Sequence, residues 1–430
     1  MTPAIRPPGV VLDIVRTLRR AGFDAWCVGG AVRDALLGIS HLDWDLATSA
    51  TPPQVRRLFE RTVPVGIEFG TIGVLDKHGR MHEVTTFRRD VQHDGRHAVV
   101  EFGASLDEDL ARRDFTINAI AYDPIDRVVH DPFGGQDDLA RRLVRAVGDP
   151  DARMLEDRLR ALRAIRFASR FAFELEAATW QAIVNSAPFL PRLSPERVKQ
   201  EIEKTLDQVR TPSSAFARWR DSGAFAALVP SLAVISSETL AALDTSPLPG
   251  LAGRPQRRVI RLAILLSQLS GRDAADVMRA LRFSNQDVAW VSDLVTRWHR
   301  HGEDLARALI SPVGVSEPSL RRLVSSLGRL RVGAFMRVAR ARWCVMPQAN
   351  APSPRQVREL HRRLLRSAFR DPLEIADLAI DGDDLRKAGV APGREIGRIL
   401  AALVEIVLDD PADNTRATLL SHVPRLLHPH

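Results

Sequence analysis

Two aspartates, Asp43 and Asp45, stand two residues apart in the segment LDWDLATS. This segment predicts a strand, and because side chains alternate across a strand, both carboxylates would project from one face while Trp44 points into the core. Two like charges held this close are stabilised by a cation between them. Mg²⁺ takes one or two carboxylates together with substrate phosphates, so the pair predicts a magnesium site. The same spacing also occurs at turn caps and on solvated strands.

The segment VGGAVRDALLG precedes the aspartates and predicts a strand, a turn at Gly29 and Gly30, and a short helix. Backbone N–H groups in such a turn can approach a phosphate, and the N-terminus of a helix favours an anion. Arg33 falls in the first turn of the helix, where a cation opposes the helix dipole unless an anion is bound. With the two aspartates, these residues predict a site for a magnesium-bound nucleoside triphosphate. Without the aspartates, a plain strand–helix turn would explain the glycines equally well.

The elements that must position these residues follow two different patterns. Within residues 1–150, helical periodicity alternates with short strands, including two strands joined by a turn at His78 and Gly79. Beyond about residue 150 the strand signals stop, and segments such as SPERVKQEIEKTLDQV predict helices. The sequence therefore predicts the α+β class: an N-terminal head with a mixed β-sheet, followed by helical domains.

Composition narrows the class of protein further. The chain has 430 residues, 45% of them hydrophobic, which excludes wholesale disorder. It has no run of about 18 apolar residues, and the segment MTPAIRPPGVVLDIVRTLRR does not match a signal peptide, so we expect no membrane span and a cytoplasmic location. Two cysteines, Cys27 and Cys344, are too few for a disulfide framework or a zinc cage. The net charge of +8 is compatible with a polyanionic partner, although a GC-rich coding sequence also explains the many arginines.

The two motifs begin a longer ordered series. VGGAVRDALLG and LDWDLATSATPPQV resemble the nucleotidyltransferase signature of class II CCA-adding enzymes and the related bacterial poly(A) polymerases. The resemblance continues through VGIEFGTIGVL, HEVTTFRRD, ARRDFTINAIAYD, DPFGGQDDLARRLVRAVGDP, EDRLRALRAIRF and SPERVKQEI, over about residues 22–205. Several long blocks in order are far more specific than one short motif. VGIEFGTIGVL resembles the CCA-adding form more than the poly(A) polymerase form.

The resemblance implies a domain order and a reaction. The expected domains are a polymerase-beta-like nucleotidyltransferase head at 1–150, a base-recognising helical neck at 151–210, a helical body at 211–345 and a tRNA-binding helical tail at 346–430. The implied reaction is template-independent addition or repair of the 3′-terminal CCA of tRNA from CTP and ATP, with release of pyrophosphate. The expected partners are the tRNA 3′ end and acceptor arm, and the sequence indicates no oligomeric state.

The resemblance also assigns site residues. Asp43 and Asp45 would be catalytic and would hold Mg²⁺, which activates the attacking 3′-hydroxyl and stabilises the leaving oxygens. The implied nucleotide-binding residues are Gly30, Arg33, Arg112, Arg113, Asp157, Arg160, Arg163 and Arg166. Three residues keep two interpretations: Glu83 is a helper at the metal or a solvated strand residue, and Asp114 and Asn118 contact the nucleotide or are structural hydrogen-bonding residues.

The block EDRLRALRAIRF predicts how bases are chosen. On a continuous helix, Asp157 and Arg160 are neighbours at i, i+3. Cytosine and adenine each offer an amine beside an unprotonated ring nitrogen, whereas guanine and uracil offer a carbonyl beside a ring N–H. A carboxylate accepts from the amine and a guanidinium donates to the ring nitrogen, so the pair would admit C and A and reject G and U. The spacing alone also fits an ordinary salt bridge. Helical geometry supports a place in the site for Arg163 better than for Arg166, because Arg166 would point nearly opposite Asp157. Arg166 would either reach a phosphate or brace the helix.

The sequence is compatible with three alternative functions: a poly(A) polymerase, an enzyme that adds only CC or only A, and a tRNA-binding protein without catalysis. The segment DGRHA, with Asp94 and Arg96, stands where full CCA-adding members have a flexible loop, but it lacks the Tyr and Pro of the usual pattern. We interpret it as a variant loop that favours full CCA addition. Some relatives carry a His-Asp phosphohydrolase domain, but Ser267 and Gln268 stand where such a pair would fall, and we expect no phosphohydrolase activity.

Overall fold

The computed structural model describes residues 5–40, 43–93, 98–245 and 256–427. The chain divides into two compact units, Met1–Val234 and Ile235–His430. Asp94 and Arg96 of the variant loop lie outside the described residues.

A mixed β-sheet forms the centre of the first unit. The strands of this unit are β1 (Ala25–Val28), β2 (Asp45–Thr48), β3 (Thr62–Gly66), β4 (Thr71–Leu75), β5 (Met81–Thr86), β6 (Arg88–His93), β7 (Ala98–Phe102), β8 (Ala121–Asp123), β9 (Val128–His130), β10 (Leu143–Val144) and β11 (Glu174–Leu175). Seven of them form one sheet in the order β3-β4-β5-β2-β1-β8-β9, in which only β2 and β5 run parallel. β6 and β7 form a separate antiparallel hairpin.

Helices of the first unit cover the sheet and continue beyond it. They are α1 (Gly9–Arg20), α2 (Gly30–Leu36), α3 (Pro52–Leu58), α4 (Leu106–Ala111), α5 (Gly135–Arg141), α6 (Pro150–Glu156), α7 (Leu159–Phe171), α8 (Ala177–Ser186), α9 (Pro195–Gln208), α10 (Pro212–Asp221) and α11 (Ala224–Leu228). Apolar side chains at helical spacing explain their placement: α1 buries Val11, Ile14, Val15 and Leu18 on one face. α7 packs against both α9 and α10.

The second unit consists of helices and the turns that connect them, with no strand among its described residues. Its helices are α12 (Ser237–Asp244), α13 (Gln256–Leu265), α14 (Gly271–Ala280), α15 (Asn285–Arg297), α16 (Glu303–Ile310), α17 (Glu317–Leu327), α18 (Val332–Trp343), α19 (Pro354–Arg370), α20 (Gly382–Lys387), α21 (Arg394–Asp409) and α22 (Arg416–Leu427). Among the helices in the described ranges, none has the length and apolar character needed to cross a membrane.

The predicted fold class, a head with a mixed sheet followed by helices, is confirmed. One strand, β11, falls beyond residue 150, and a two-residue strand is too short to produce a periodic signal. The domain boundaries expected at 150, 210 and 345 stay predictions.

The predicted continuous helix through Asp157 is wrong. Asp157 has φ −143° and ψ 103°, which is extended backbone, so it separates α6 from α7. Its carboxylate accepts a hydrogen bond from the backbone N–H of Leu159 at 3.0 Å. Aspartate side chains favour such local bonds over helix interiors, which explains why the helix restarts here. Asp43 also departs from expectation, because β2 begins only at Asp45.

Candidate active site

A cavity of about 560 Å³ in the first unit brings together the side chains of β2, β5, α2 and α7. The predicted site residues that line it are Gly30, Arg33, Asp45, Arg112, Arg113, Asp157, Arg160, Arg163 and Arg166. Asp43 is exposed and is not part of this lining. Arg88, Arg170 and Lys204 add further positive charge, so the wall carries nine basic side chains against four carboxylates. Such an excess attracts a polyanionic ligand.

The carboxylates of the cavity lie on adjacent strands. Asp45 pairs with Val28 in the antiparallel β1–β2 ladder. The parallel β2–β5 register pairs Leu46 with Val84, which places Glu83 beside Asp45. Both Asp45 and Glu83 line the cavity, so the strand position favours the interpretation of Glu83 as a residue of the site over that of a solvated strand residue.

The turn between β1 and α2 requires a glycine for two reasons. Gly29 has φ +73°, in the left-handed region that disfavours residues with a Cβ. A Cβ at this position would stand 3.0 Å from Nη1 of Arg113 and 3.9 Å from Oδ2 of Asp45. The turn therefore brings bare backbone against the guanidinium of Arg113, while the carboxylate of Asp45 lies at ordinary van der Waals distance from the Cβ position.

Arg33 is a buried part of the cavity wall. Only 3% of its surface is exposed. Its Nε donates to Oδ1 of Asp34 at 2.7 Å and its Nη1 donates to Oδ1 of Asn118 at 2.5 Å. Burial lowers the pKa of the guanidinium, and the charge of Asp34 opposes that effect. The sequence placed Arg33 near the anion site, but did not show that its guanidinium is fixed by two partners.

One buried carboxylate holds the adjacent arginines of the RRDF block. Asp109 accepts from Arg112 at 3.0 Å and from Arg113 at 3.2 Å. Burial raises the pKa of Asp109, but the two guanidiniums outweigh burial and the pKa lies below its ordinary value. The role of Asp109 was not predicted from the sequence, although residues three and four positions apart are neighbours on a helix, as Asp109 is with the two arginines.

Asp114 and Asn118 form a second buried support. Asp114 accepts two hydrogen bonds from Arg163, at 2.9 and 2.7 Å, and one from Nδ2 of Asn118 at 2.9 Å. Burial raises the pKa of Asp114, but the charge of Arg163 and the Asn118 hydrogen bond bring it below the ordinary value. These contacts give both residues a structural role, since Asp114 holds Arg163 and Asn118 holds Arg33 at the cavity wall, which Asp114 and Asn118 also line.

Asp157 and Arg160 both line the cavity but do not bond to each other's side chains. Asp157 accepts from Arg197 at 2.8 and 3.0 Å. Arg160 donates to Glu156 at 2.6 Å and to the carbonyls of Arg112 at 2.9 Å and Arg153 at 3.2 Å. A guanidinium has five N–H donors. The described residues accept three hydrogen bonds from Arg160, so two N–H groups remain to donate to a base. The contacts with Glu156 and Arg197 were not predicted from the sequence. Arg197 is 40 residues from Asp157, and the spacing of residues that far apart does not indicate a contact.

Arg166 braces α7 against α9. Its Nε donates to Oε2 of Glu201 at 2.6 Å and its Nη1 donates to Gln208 at 3.3 Å. The ion-paired side chains of Arg166 and Glu201 are 4% and 1% exposed. Burial lowers the pKa of Arg166, and the charge of Glu201 opposes that effect. Of the two interpretations of Arg166, the contacts favour the bracing one.

This brace leads to a stability prediction. Arg166→Met should lower the free energy of unfolding by about 3 kcal/mol, because it leaves Glu201 buried without its main counter-ion. Urea unfolding at pH 7 measures the change. Arg170→Met is the matched control, because its partner Asp34 still has an ion pair with Arg33. The free energy of unfolding of this variant should fall by less than about 1 kcal/mol. Equal losses in the two variants would contradict the bracing role.

Comparison with known protein families gives two matches within the chain. The model described as "Poly A polymerase head domain" matches residues 25–145. The model described as "Probable RNA and SrmB- binding site of polymerase A" matches residues 172–235.

Individual proteins match over almost the whole chain. The CCA-adding enzyme of Geobacillus kaustophilus is 35% identical over 416 residues, which cover 96% of each chain. The CCA-adding enzyme of Limosilactobacillus fermentum is 34% identical over 426 residues, again with 96% of each covered. The crystal structure of the Bacillus stearothermophilus CCA-adding enzyme in complex with CTP superposes with a TM-score of 0.76 at 32% identity, over 98% of both chains. The Thermotoga maritima CCA-adding enzyme complexed with tRNA shares the fold, with a TM-score of 0.69 at 22% identity.

These similarities confirm the family that the ordered sequence blocks predicted. They extend through both units, since the matched relatives cover nearly all of this chain and this chain nearly all of them. The chain belongs to the family of CCA-adding enzymes.

Proposed function

We propose that the chain adds or repairs the 3′-terminal CCA of tRNA from CTP and ATP, with release of pyrophosphate. The observation that carries this proposal is one cavity that combines Asp45 with Asp157, Arg160 and an excess of basic side chains. A nucleoside triphosphate has the complementary parts: a metal-binding triphosphate, strong negative charge and a base edge with hydrogen-bonding groups.

The basic wall would bind the triphosphate and orient it. Arg33, Arg112, Arg113 and Arg163 are each fixed by a carboxylate or amide partner, so their positions are set before the nucleotide arrives. Fixed positive groups stabilise the charge that develops on the leaving pyrophosphate without having to reorganise. The Gly29–Gly30 turn would let phosphate oxygens approach the backbone N–H groups at the start of α2.

Asp43 and Asp45 would hold Mg²⁺. Carboxylate oxygens are the hard ligands that this ion prefers. Asp45 and Glu83 line the cavity on adjacent strands, beside basic side chains, so the carboxylates present fit an ion that also takes phosphate ligands. When bound, Mg²⁺ would supply activation of the attacking 3′-hydroxyl and neutralisation of the leaving oxygens. The position of Asp45 in the cavity lining supports this role, and Asp43 precedes it by two residues in the chain.

Base choice would follow from the side chains of Asp157 and Arg160. Arg197 orients the carboxylate of Asp157 and Glu156 orients the guanidinium of Arg160, so neither side chain has to pair with the other. Asp157 would accept from the amine of C or A, and Arg160 would donate to the neighbouring ring nitrogen. With G or U, a carbonyl oxygen would face the carboxylate of Asp157 and a ring N–H would face the guanidinium of Arg160. Both charged groups would then lack a hydrogen-bond partner, which costs more free energy than the loss of a contact.

A second cavity supports tRNA as the partner. It measures about 270 Å³, lies in the second unit, and receives Arg337 and Arg340 from α18 and Arg358 and His361 from α19. Each helix contributes its pair at i, i+3 spacing, so both side chains of a pair lie on one face. The lining contains no carboxylate, and within the described part of the chain none of the three arginines has an ion-pair partner. We propose that this cavity takes phosphates of the tRNA backbone, since RNA helices are recognised mainly by shape and phosphate contacts.

The cysteines allow this surface to be tested without a mutation. Cys344 lines the same cavity and is exposed, whereas Cys27 is buried in the head. Bound tRNA should slow alkylation of Cys344 by N-ethylmaleimide at least about tenfold at low salt, and the protection should fade steeply as salt rises. Peptide mass spectrometry measures modification at both sites, and the buried Cys27 should stay unmodified as long as the protein remains folded. Alkylation of Cys344 at the same rate with and without saturating tRNA would contradict RNA binding at this cavity.

Nucleotide addition to three tRNA transcripts, ending before CCA, after C and after CC, tests the activity. Each receives CTP, ATP or both with Mg²⁺, and products are resolved at single nucleotides. We expect one A on the CC end and CCA on the shortest transcript. A stop at CC, or addition of A alone, would indicate a partial activity; long A tails would indicate a poly(A) polymerase; and no product would indicate a tRNA-binding protein.

A further inference from the structure

Two phenylalanines of α7 form a stacked pair, and one of them lines the candidate active site. Phe167 and Phe171 are one helical turn apart, with ring centroids separated by 6.2 Å and ring planes inclined by only 3°. Phe167 lines the cavity and is 6% exposed.

Four arginines surround this pair. The guanidinium of Arg33 lies 4.7 Å from the centroid of Phe171 and 5.2 Å from that of Phe167. Arg166 and Arg163 lie 4.4 and 5.4 Å from the centroid of Phe167. Arg170 lies 4.9 Å from the centroid of Phe171. All of these distances fall within the range in which the negative face of an aromatic ring attracts a cation.

The carboxylates of the cluster are fewer than its arginines. Asp114 pairs with Arg163 and Glu201 with Arg166, whereas the single carboxylate of Asp34 pairs with both Arg33 and Arg170. Like charges held close together repel, and burial strengthens that repulsion. The two ring faces are therefore part of what holds the four guanidiniums at one wall.

A neighbouring ring shows what ordinary core packing looks like here. Phe173 is buried and lies 5.6 Å from Phe171 at a tilt of 43°, but no arginine stacks on it within the described residues. The arginine contacts are thus a property of Phe167 and Phe171, not of every phenylalanine in this region.

We propose that Phe167 and Phe171 are positioning residues for triphosphate binding, which hold Arg33, Arg163 and Arg170 in place along the wall that receives the phosphates and fix the bracing Arg166 beside them. The inference rests on the proposed function, because it assigns the triphosphate to this cavity. The two rings act through the arginines and not on the base. Their contribution is therefore the same for CTP and ATP, and it leaves the choice of C and A over U and G unchanged.

Phe171→Leu tests the proposal, because leucine keeps apolar volume but removes the ring face. The expected result is a KM about tenfold higher for both CTP and ATP, with little change in kcat, since one cation–π contact to each of two arginines is lost. Phe171→Tyr keeps the ring face and should restore the wild-type KM. Phe173→Leu is the matched control, and its KM should stay at the wild-type value.

A fluorinated residue keeps the test decisive if Phe171→Leu folds poorly. Trifluorophenylalanine at position 171 preserves the shape of the ring and largely cancels the negative electrostatic potential of its face, so KM should rise while the thermal unfolding temperature stays close to the wild-type value. An unchanged KM in the fluorinated protein, or an equal rise in Phe173→Leu, would overturn the proposal.

Equilibrium binding of CTP by calorimetry separates this inference from the proposed function. If the wild-type chain binds CTP but transfers no nucleotide, the proposed function fails, while weaker binding by Phe171→Leu still supports the positioning role. If the wild-type chain and Phe171→Leu bind CTP with equal affinity, the positioning role fails even where CCA addition is intact. Absence of any CTP binding by the wild-type chain would overturn both.

Discussion

Asp45→Asn should lower the rate of nucleotide addition by about 10³-fold or more while the protein stays folded. The substitution keeps the size and hydrogen-bonding capacity of the side chain but removes the negative charge proposed to hold Mg²⁺. Metal-ion stabilisation of a phosphoryl transition state is worth several kcal/mol, and each 1.36 kcal/mol is a factor of ten in rate. Asp43→Asn should have an effect in the same direction, since both carboxylates are assigned to one ion.

Single-turnover addition of A to a tRNA that ends in CC measures this effect, because it isolates the chemical step from product release. Asp24→Asn is the matched control: Asp24 directly precedes β1, at the opposite end of the β1–β2 ladder from Asp45, and is exposed. Circular dichroism should show wild-type folding for both variants. A wild-type rate for Asp45→Asn, with Asp24→Asn also at the wild-type rate, would remove the basis for the whole catalytic assignment.

The parts of the site that the sequence predicted are those specified by neighbouring residues. β1, the glycine turn and α2 follow from a buried strand, two glycines and a helical pattern within about a dozen residues. The strand position of Glu83 and the turn before it follow in the same way from alternation around His78 and Gly79. Local periodicity and turn chemistry carry such information because they depend on spacing along the chain.

The parts that the sequence did not predict depend on contacts between distant segments. Asp157 finds Arg197, and Arg166 finds Glu201, across 40 and 35 residues. These partners are set by how α7 and the junction that precedes it pack against α9, and periodicity does not contain that information. The break at Asp157 was missed for a different reason: apolar spacing continues through it, while the capping bond to Leu159 competes locally with the helix.

Replacing Asp157 by Asn and Arg160 by Gln in one protein should relax base selection. Each amide offers both a donor and an acceptor, so the pair can match the carbonyl and ring N–H of uracil as well as the groups of cytosine. The ratio of kcat/KM for CTP to that for UTP should fall by about 10²-fold or more, because the mismatch no longer leaves two charged groups unpaired. Asp157→Asn alone should relax selection less, since the guanidinium of Arg160 still opposes the ring N–H of uracil.

The double variant should fold, because its former partners are not left buried and alone. Glu156 keeps an ion pair with Arg153 at 2.6 Å, and the side chain of Arg197 is 35% exposed and can be solvated.

Glu156→Gln is the matched control: it removes the ion pair of Arg160 but keeps both side chains proposed to contact the base. If these side chains select the base directly, Glu156→Gln retains most of the preference for CTP, and the affinity for tRNA is the same in all variants. If Glu156→Gln relaxed selection as much as the double variant, the helix junction as a whole would determine selectivity, and the assignment of base contact to Asp157 and Arg160 would be wrong.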